Sequence, residues 1–310
     1  VTTITYKSST EYMIADKRAR NPWKTPMASS MPVVAEVRTT DSFDKLGFPA
    51  NEVVVEYDYR DGYFDGNEKE FRGFAHVTTT EWGDANHETK VTETWLHVGR
   101  NLETGEDEEI LKGKPHQQLI RNLNGELYQS VETQWELRWL CQEDLGAVAE
   151  SVLPRCEYFH DKMAHKDKLV AFAVQHSALT GSWEKTASPR FTYSESVFDA
   201  WGNAVEQFSW GEVTFNGDHQ VGDPFERSDL NLMVGEDEVL KTSGFITDVR
   251  QWLIGIPYAS EVHDTEGHVI AAGRSYFDGE AFAGLPLGQI ERGLVSKEET
   301  WLFESSHGSE

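Results

Sequence analysis

The sequence predicts an all-β protein, an extended, curved antiparallel sheet of many short hairpins. Three observations predict it. Stretches rich in Val, Thr, Tyr and Trp recur along the chain, many alternating with period two; Asx-Gly pairs separate them; and a loose aromatic–Asp–x–x–Gly pattern returns several times. Alternation gives each strand two distinct faces, and an Asx-Gly pair supplies the positive φ that a tight hairpin turn needs.

Taken in order, residues 1–10 (VTTITYKSST) alternate as a strand from the first position, as if the chain were entered mid-fold. That opening suggests a segment of a longer polypeptide, the alternative being a mature protein whose targeting peptide has been removed. Strands follow over 33–40, 52–60, 73–82, 89–98, 126–140 and 212–217. Turn signals stand at Asp61-Gly62, Asp65-Gly66-Asn67, Asn124-Gly125, Gly202-Asn203, Asn216-Gly217 and Asp278-Gly279. Two short helices are predicted, over 142–153 and 227–234. The repeated pattern is clearest in FDAWGNAVEQFSWGEV (198–213), returns in VHDTEGHVIAAGRSYFDG (262–279), and has a variant in YFDGNEKEFRGFAHV (63–77). Asp opens each turn, Gly closes it in a left-handed conformation, and flanking aromatics fix the register through cross-strand pairs. Units of this size cannot bury their faces alone, so residues 1–310 read as one β-rich segment.

The charge balance removes several functions. With 53 acidic against 28 basic side chains the formal charge is −25, which repels phosphate backbones and anionic lipid, so neither nucleic acid nor a membrane surface is an expected partner. No apolar run is long enough to span a bilayer as a helix. Ten Trp and 38% hydrophobic residues argue for a packed core rather than disorder. Cys141 and Cys156 fit no zinc spacing and read as small buried residues, with a single bridge as the alternative.

Candidate chemistry is sparse. Arg72, within Glu70-Phe71-Arg72-Gly73-Phe74, is either a ligand for an acidic group or, as favoured, a clamp on Glu68, Glu70 or a turn carbonyl; strict alternation would put Phe71 and Gly73 on one face and Arg72 and Phe74 on the other. His87-Glu88 lacks a second His at helical spacing, His160 and His165 are poorly spaced, and Asp65-Gly66-Asn67-Glu68 holds only part of a calcium loop. No Gly-x-Ser-x-Gly elbow or Gly-rich phosphate loop occurs. Trp82, Trp95, Trp135, Trp139, Trp201 and Trp210 lie in strands or hairpins, where sheet packing accounts for them better than a sugar platform. No catalytic residue, cofactor or metal is expected.

The D-x-x-G hairpins resemble the tyrosine–aspartate repeats of RHS proteins. The sharper match is YDYRDGYFDGNEKEFRGFAHVTTTEW (57–82), which resembles the signature of the B component of insecticidal toxin complexes and of related virulence-plasmid protein B sequences. NPWKTPMASSMPVVAEVRTTDSF (21–43), ETWLHVG (93–99) and SPRFTYSESVFDAWGNAVEQFSWGEV (188–213) are similar to further elements of that family, in the same order. The likeness is best over 1–100, continues as hairpin repeats over 100–215, and thins to generic hairpins over 216–310. Ala75 stands where the family's motif has Gly, and 103–118 follows it less closely.

The resemblance implies part of a hollow β-cocoon, a spiral sheet that encloses a toxic effector polypeptide until a pore-forming A component receives it. It implies as partners the other RHS segments of the shell, a C-component-like protein and the enclosed effector, with the A component met indirectly. It also implies a secreted or extracellular location, or the bacterial cell surface. The self-cleaving aspartates of the C partner have no counterpart, so no protease activity is carried over. The residues singled out are architectural: Tyr57, Tyr59, Asp61, Gly62, Tyr63, Asp65, Gly66, Glu70, Phe71, Arg72, Gly73 and Phe74 in the signature, Asp199, Gly202 and Asn203 in the clearest repeat, and Asp264 with Gly267 in the later one. The alternatives are an RHS-like extracellular glycan-binding or adhesion module, which would show a coplanar exposed row of Trp, and a secreted glycoside hydrolase, which would show facing carboxylates in a deep cleft.

Overall fold

The computed structural model describes residues 1–25, 27, 29–41, 51–102, 104–140, 170–184, 188–221, 223, 225–232, 236–248 and 251–302. Of the described residues 58% lie in strands and 7% in helices, arranged as one large antiparallel sheet that does not close on itself. Apart from the two-residue strand at Leu230–Asn231, strand order follows chain order, which is what a succession of hairpins produces. The chain forms two compact units: Val1–Thr133 with Leu179–Arg190 and Gln220–Asp223, and Gln134–Ala178 with Phe191–His219 and Pro224–Glu310.

The first unit holds β1 (Thr2–Ser8), α1 (Ser9–Arg18), β2 (Pro32–Thr40), β3 (Glu52–Asp65), β4 (Glu70–Glu81), β5 (Lys90–Leu96), β6 (Pro115–Asn122) and the start of β7 (Leu127–Leu140). The Val- and Thr-rich runs form the expected strands, and β3 and β4 make the longest paired stretch. α1 replaces the end of the strand expected over 1–10. Ser8 accepts from the Thr10 amide while the Glu11 carboxylate accepts from the Ser8 amide at 3.0 Å, a capping box that turns the chain into a helix. The helix covers β3: the Tyr12 hydroxyl donates to the Tyr57 carbonyl at 3.0 Å, and its ring meets Tyr59 edge-on at 5.7 Å.

The second unit holds most of β8 (Val170–Ser182), then β9 (Arg190–Phe198), β10 (Ala204–Phe215), the short β11 (Leu230–Asn231), β12 (Val239–Asp248), β13 (Leu253–His263), β14 (Val269–Phe277) and β15 (Val295–Leu302). β11 pairs only with the end of β10. The helix expected over 227–234 is instead a single 3-10 turn at Arg227–Asp229 followed by β11, because the Glu226 amide donates to the Asp229 carboxylate at 2.8 Å and Leu230 and Asn231 then pair with Phe215 and Thr214. The helix expected over 142–153, Cys141, Cys156, His160, His165 and the side chain of Trp139 lie outside the described residues.

An open sheet buries few side chains completely. Among the described residues Tyr12, Ala35, Val98, Leu111 and Leu119 are buried in the first unit and Val174, Tyr193, Val213, Phe225, Leu230 and Phe277 in the second. Most strand positions remain half-exposed, so much of the specificity falls on turns and polar contacts.

Candidate functional site

The signature block builds a hairpin with two kinks. Asp61-Gly62 is not a turn: both lie inside β3, where Asp61 takes φ +52° and its carboxylate accepts from the Lys24 amide. The Gly62 carbonyl accepts from the Thr25 hydroxyl at 2.8 Å, and a Cβ at Gly62 would press on the Met27 sulfur, so the pair fastens the preceding segment onto the strand. The reversal comes at 66–69, where the Asp65 carboxylate accepts from the amides of Asn67 at 2.8 Å and Glu68 at 3.0 Å. Lys69, with φ +56°, supplies the left-handed residue that the Asx-Gly reading assigned to Gly66.

The second kink is a β-bulge. Tyr63 pairs with Gly73 and Phe64 with Phe71, so Arg72 is the extra residue, and Gly73 takes φ +103°. Simple alternation therefore fails: the Phe71 and Phe74 rings meet at 5.2 Å instead of pointing apart. Phe74 packs on Tyr59 at 4.8 Å and on Trp23 at 6.0 Å, and the Tyr59 hydroxyl reaches the Val34 carbonyl at 3.0 Å. Tyr57 lies stacked beside Tyr59.

The bulge aims Arg72 into a polar nest. Its side chain is only 1% exposed; Nη2 lies 3.1 Å from Glu68 and 3.4 Å from Asp65, and Nη1 lies 3.1 Å from Asp107 and 2.8 Å from the Gly99 carbonyl. Glu70 and Glu109 stand 4.0 Å away, and Lys112 neutralises Glu70 at 2.8 Å. Burial works against the guanidinium charge, but hydrogen bonds to Asp107 and Glu68 and the fields of Asp65 and Asp107 outweigh it and raise its pKa. The Asp65 carboxyl is held below its ordinary value, first by the Glu68 amide and then by the Asn67 amide and Arg72, against the opposing effect of burial. The Tyr63 hydroxyl adds a contact to Asp65 at 3.2 Å. Ligand oxygens of Glu68, Glu70 and Glu109 lie within 4.8 Å of one another, the only three-carboxylate arrangement of this kind among the described residues. A cation there would compete with Arg72 and Lys112, which already balance it. One guanidinium thus ties β4, the turn after β3 and the 97–114 connection together.

The repeat residues form a second structural theme. In Asp199–Asn203 the Asp199 carboxylate accepts from the amides of Trp201 and Asn203 at 2.9 Å each, the Gly202 amide reaches the Asp199 carbonyl at 3.2 Å, and Gly202 has φ +83°. Asp264–His268 repeats this: Glu266 at 3.0 Å, His268 at 2.8 Å, Gly267 to the Asp264 carbonyl at 3.0 Å, and φ +84°. A third copy runs from Asn122 to Glu126, with the Asn122 side chain accepting from Asn124 and Glu126 at 3.0 Å each and Gly125 at φ +84°. It is Asn122, not the Asn124 of the Asn124-Gly125 pair, that organises the turn. The 63–77 variant is a different turn, because Asp65 bonds the second and third amides after it.

Sequence reasoning missed Asp107, Gly99 and Glu109, the distant half of the Arg72 nest, whose trace in the sequence is the acidic run 106–109. It also missed the role of Asp278, whose carboxylate accepts from the amides of Glu291, Arg292, Gly293 and Leu294 at 2.7–3.2 Å. These bonds, led by Arg292 and opposed by burial, bring the Asp278 pKa down to about 2.

Residues 1–103, the part that carries the Arg72 hairpin, match the family of the insecticide toxin TcdB middle/N-terminal region. That stretch is similar to the Tc toxin B component. The family match ends close to where the sequence likeness is best. Solved structures extend the fold likeness further. The TcdB2-TccC3-TEV structure aligns with 98% of this chain at 16% identity and a TM-score of 0.64. The TcdB2-TccC3 structure also aligns with 98%, at 15% identity and 0.62, and the Photorhabdus luminescens Tc holotoxin pore with 96%, at 14% and 0.63. The chain spans 17–18% of the length of those chains. No curated protein matches it. No helix among the described residues is long and apolar enough to cross a membrane.

Proposed function

We propose that this chain is a non-catalytic structural segment of a secreted Tc-type shell, working outside the producing cell with a C-component-like partner to enclose an effector polypeptide that a pore-forming component later receives. The observation that carries the reading is the alignment of 98% of the chain with the TcdB2-TccC3 fold together with the family match at residues 1–103. A containing wall needs unbroken strand pairing, so that no backbone group is orphaned, and rigid turns that hold register. The consecutive hairpins and the side-chain-locked turns at Asp199, Asp264 and Asn122 supply both. Arg72 with Asp65, Glu70 and Gly73 serves as the fastening of the N-terminal hairpin, and residues 1–310 act as one stretch of the wall.

Trp geometry supports the shell over a glycan-binding module. Among the described residues Trp82 and Trp252 are exposed, but Trp252 stands at 87° to its neighbour Trp201, and Trp95 is covered by His76 at 4.5 Å. That is no flat platform for sugar rings.

The test is a chimera: TcdB2 carrying residues 1–310 in place of its matching segment, assembled with TccC3 and exposed to protease. Protection of the C-terminal TccC3 polypeptide is the expected result. A chimera that assembles yet leaves that polypeptide open to cleavage would overturn the reading.

A further inference from the structure

The sequence holds two Asn-Gly pairs, Asn124-Gly125 and Asn216-Gly217, and the fold treats them differently. The first is locked. The Gly125 amide donates to the Asn122 carbonyl at 3.1 Å, the Asn124 amide donates to the Asn122 side chain at 3.0 Å, and Gly125 takes φ +84°. The second pair follows the last residue of β10, and both of its residues are exposed. The Asn216 amide is anchored to the Asp229 carbonyl at 2.8 Å, but the Gly217 amide has no hydrogen-bond partner among the described residues. Beyond its chain neighbours, nothing stands within 4 Å of where a Cβ at Gly217 would lie.

A free amide directly after an asparagine is a nucleophile held beside an electrophile, and glycine has no side chain to obstruct the approach. Once the Gly217 amide loses its proton, its nitrogen can attack Cγ of Asn216. The N–Cγ bond forms, the Cγ–Nδ2 bond breaks, and the side-chain nitrogen takes up a proton and leaves as ammonia. Water then opens the cyclic imide at either carbonyl, giving aspartate or isoaspartate. Neither step needs an oxidant, a reductant or a cofactor. At Gly125 the same attack must first release the bond to the Asn122 carbonyl, which slows it by about a factor of ten.

The Asn216 side chain also has a structural task. Its Nδ2 donates to the Ser228 carbonyl at 3.1 Å and so ties the end of β10 to the 3-10 turn that leads into β11. That bond is solvent-exposed, so water can replace it while the reaction proceeds. β11 pairs only with β10, through Thr214 with Asn231 and Phe215 with Leu230. We propose that Asn216-Gly217 is a site of spontaneous deamidation, and that the reaction loosens β11 because the departing nitrogen is the donor of this tie. The product carboxylate faces the Ser228 carbonyl with no proton to give it.

Peptide mapping by mass spectrometry, after incubation of the 310-residue chain at mildly alkaline pH, follows both sites in one sample. In the folded chain Asn216 should convert about tenfold faster than Asn124. In urea, where both glycine amides are free, the two should react at similar rates. Equal rates in the folded chain, faster conversion at Asn124, or the same ratio folded and unfolded would overturn the proposal. Asn216→Asp reproduces one product directly, and its β11 amides should exchange with solvent faster than those of the unaltered chain. Unchanged exchange would overturn the loosening of β11. If Asn216→Asp does not fold, the same exchange measured on the incubated, deamidated chain decides.

Discussion

Arg72 shows how much one residue can organise in an open sheet. Its partners come from the turn after β3, from β4 and from the connection beyond β5, so the local motif is completed by residues 27–37 positions away. Arg72→Met removes the charge that balances Asp65, Asp107 and Glu68. Because four of the five surrounding acids are partly solvated, the expected loss is about 2–3 kcal/mol, at or below the low end of what breaking a buried pair costs. Arg72→Lys recovers only part of it, since an ammonium cannot span the same set of acceptors. Urea denaturation midpoints decide, and an unchanged midpoint in Arg72→Met would show that the nest is dispensable. The repeat glycines give a second comparison at this scale. Gly202 and Gly267 share the same φ, so valine at either costs about 1–3 kcal/mol in backbone strain. A Cβ at Gly202 also runs into the Phe172 ring, whereas Gly267 faces open space. Gly202→Val is therefore expected to lower the melting temperature further than Gly267→Val; equal shifts would mean that Phe172 moves aside freely.

Among the elements, the loop between β14 and β15 depends on a single carboxylate. Asp278 gathers four amides at 291–294, and its folded pKa of about 2 lies below the ordinary carboxyl value. A depressed carboxyl contributes stability that is complete above about pH 5 and is lost as pH falls from about 4 through its folded value. NMR of the Asp278 carboxyl carbon should show a midpoint near 2. In Asp278→Asn the amides of Glu291–Leu294 should exchange faster at neutral pH, because a neutral side chain with one acceptor oxygen cannot hold four donors. Unchanged exchange would assign the loop's order to its backbone bonds, such as Leu285 to Phe277. The α1 capping box belongs to the same scale: the Ser8-x-x-Glu11 pattern is visible in the sequence, yet the alternation of the first ten residues pointed to strand alone.

For the whole molecule the governing features are the charge and the open sheet. β1 and β15 stand last in the strand order, and β1 is exposed along most of its length. Edge strands carry unpaired N–H and C=O groups that template association. A charge of −25 opposes this at low salt, and screening shortens from about 30 Å at 0.01 M to about 3 Å at 1 M. Sedimentation velocity should show a monomer at low ionic strength and growing self-association as salt is added. A monomer across the whole series would mean that the edges are protected.

The sequence by itself determined the all-β class, most strand positions in the first unit, and the D-x-x-G turns at 199–203 and 264–268, because alternation, β-branched side chains and Asx side chains act over a few residues. It also carried the likeness that the family match and the solved folds extend. Only the tertiary structure decided that Asp61 and Gly62 lie within a strand, that a bulge at Arg72 brings Phe71 and Phe74 together, that 227–231 forms a 3-10 turn and a short strand, and that Asp107, Glu109 and the Gly99 carbonyl converge on Arg72. Those outcomes depend on the register between strands and on contacts with distant chain. Neither is encoded in the spacing of neighbouring residues, since the same Asp-Gly pair suits a turn or a kinked strand until its partner strand is in place.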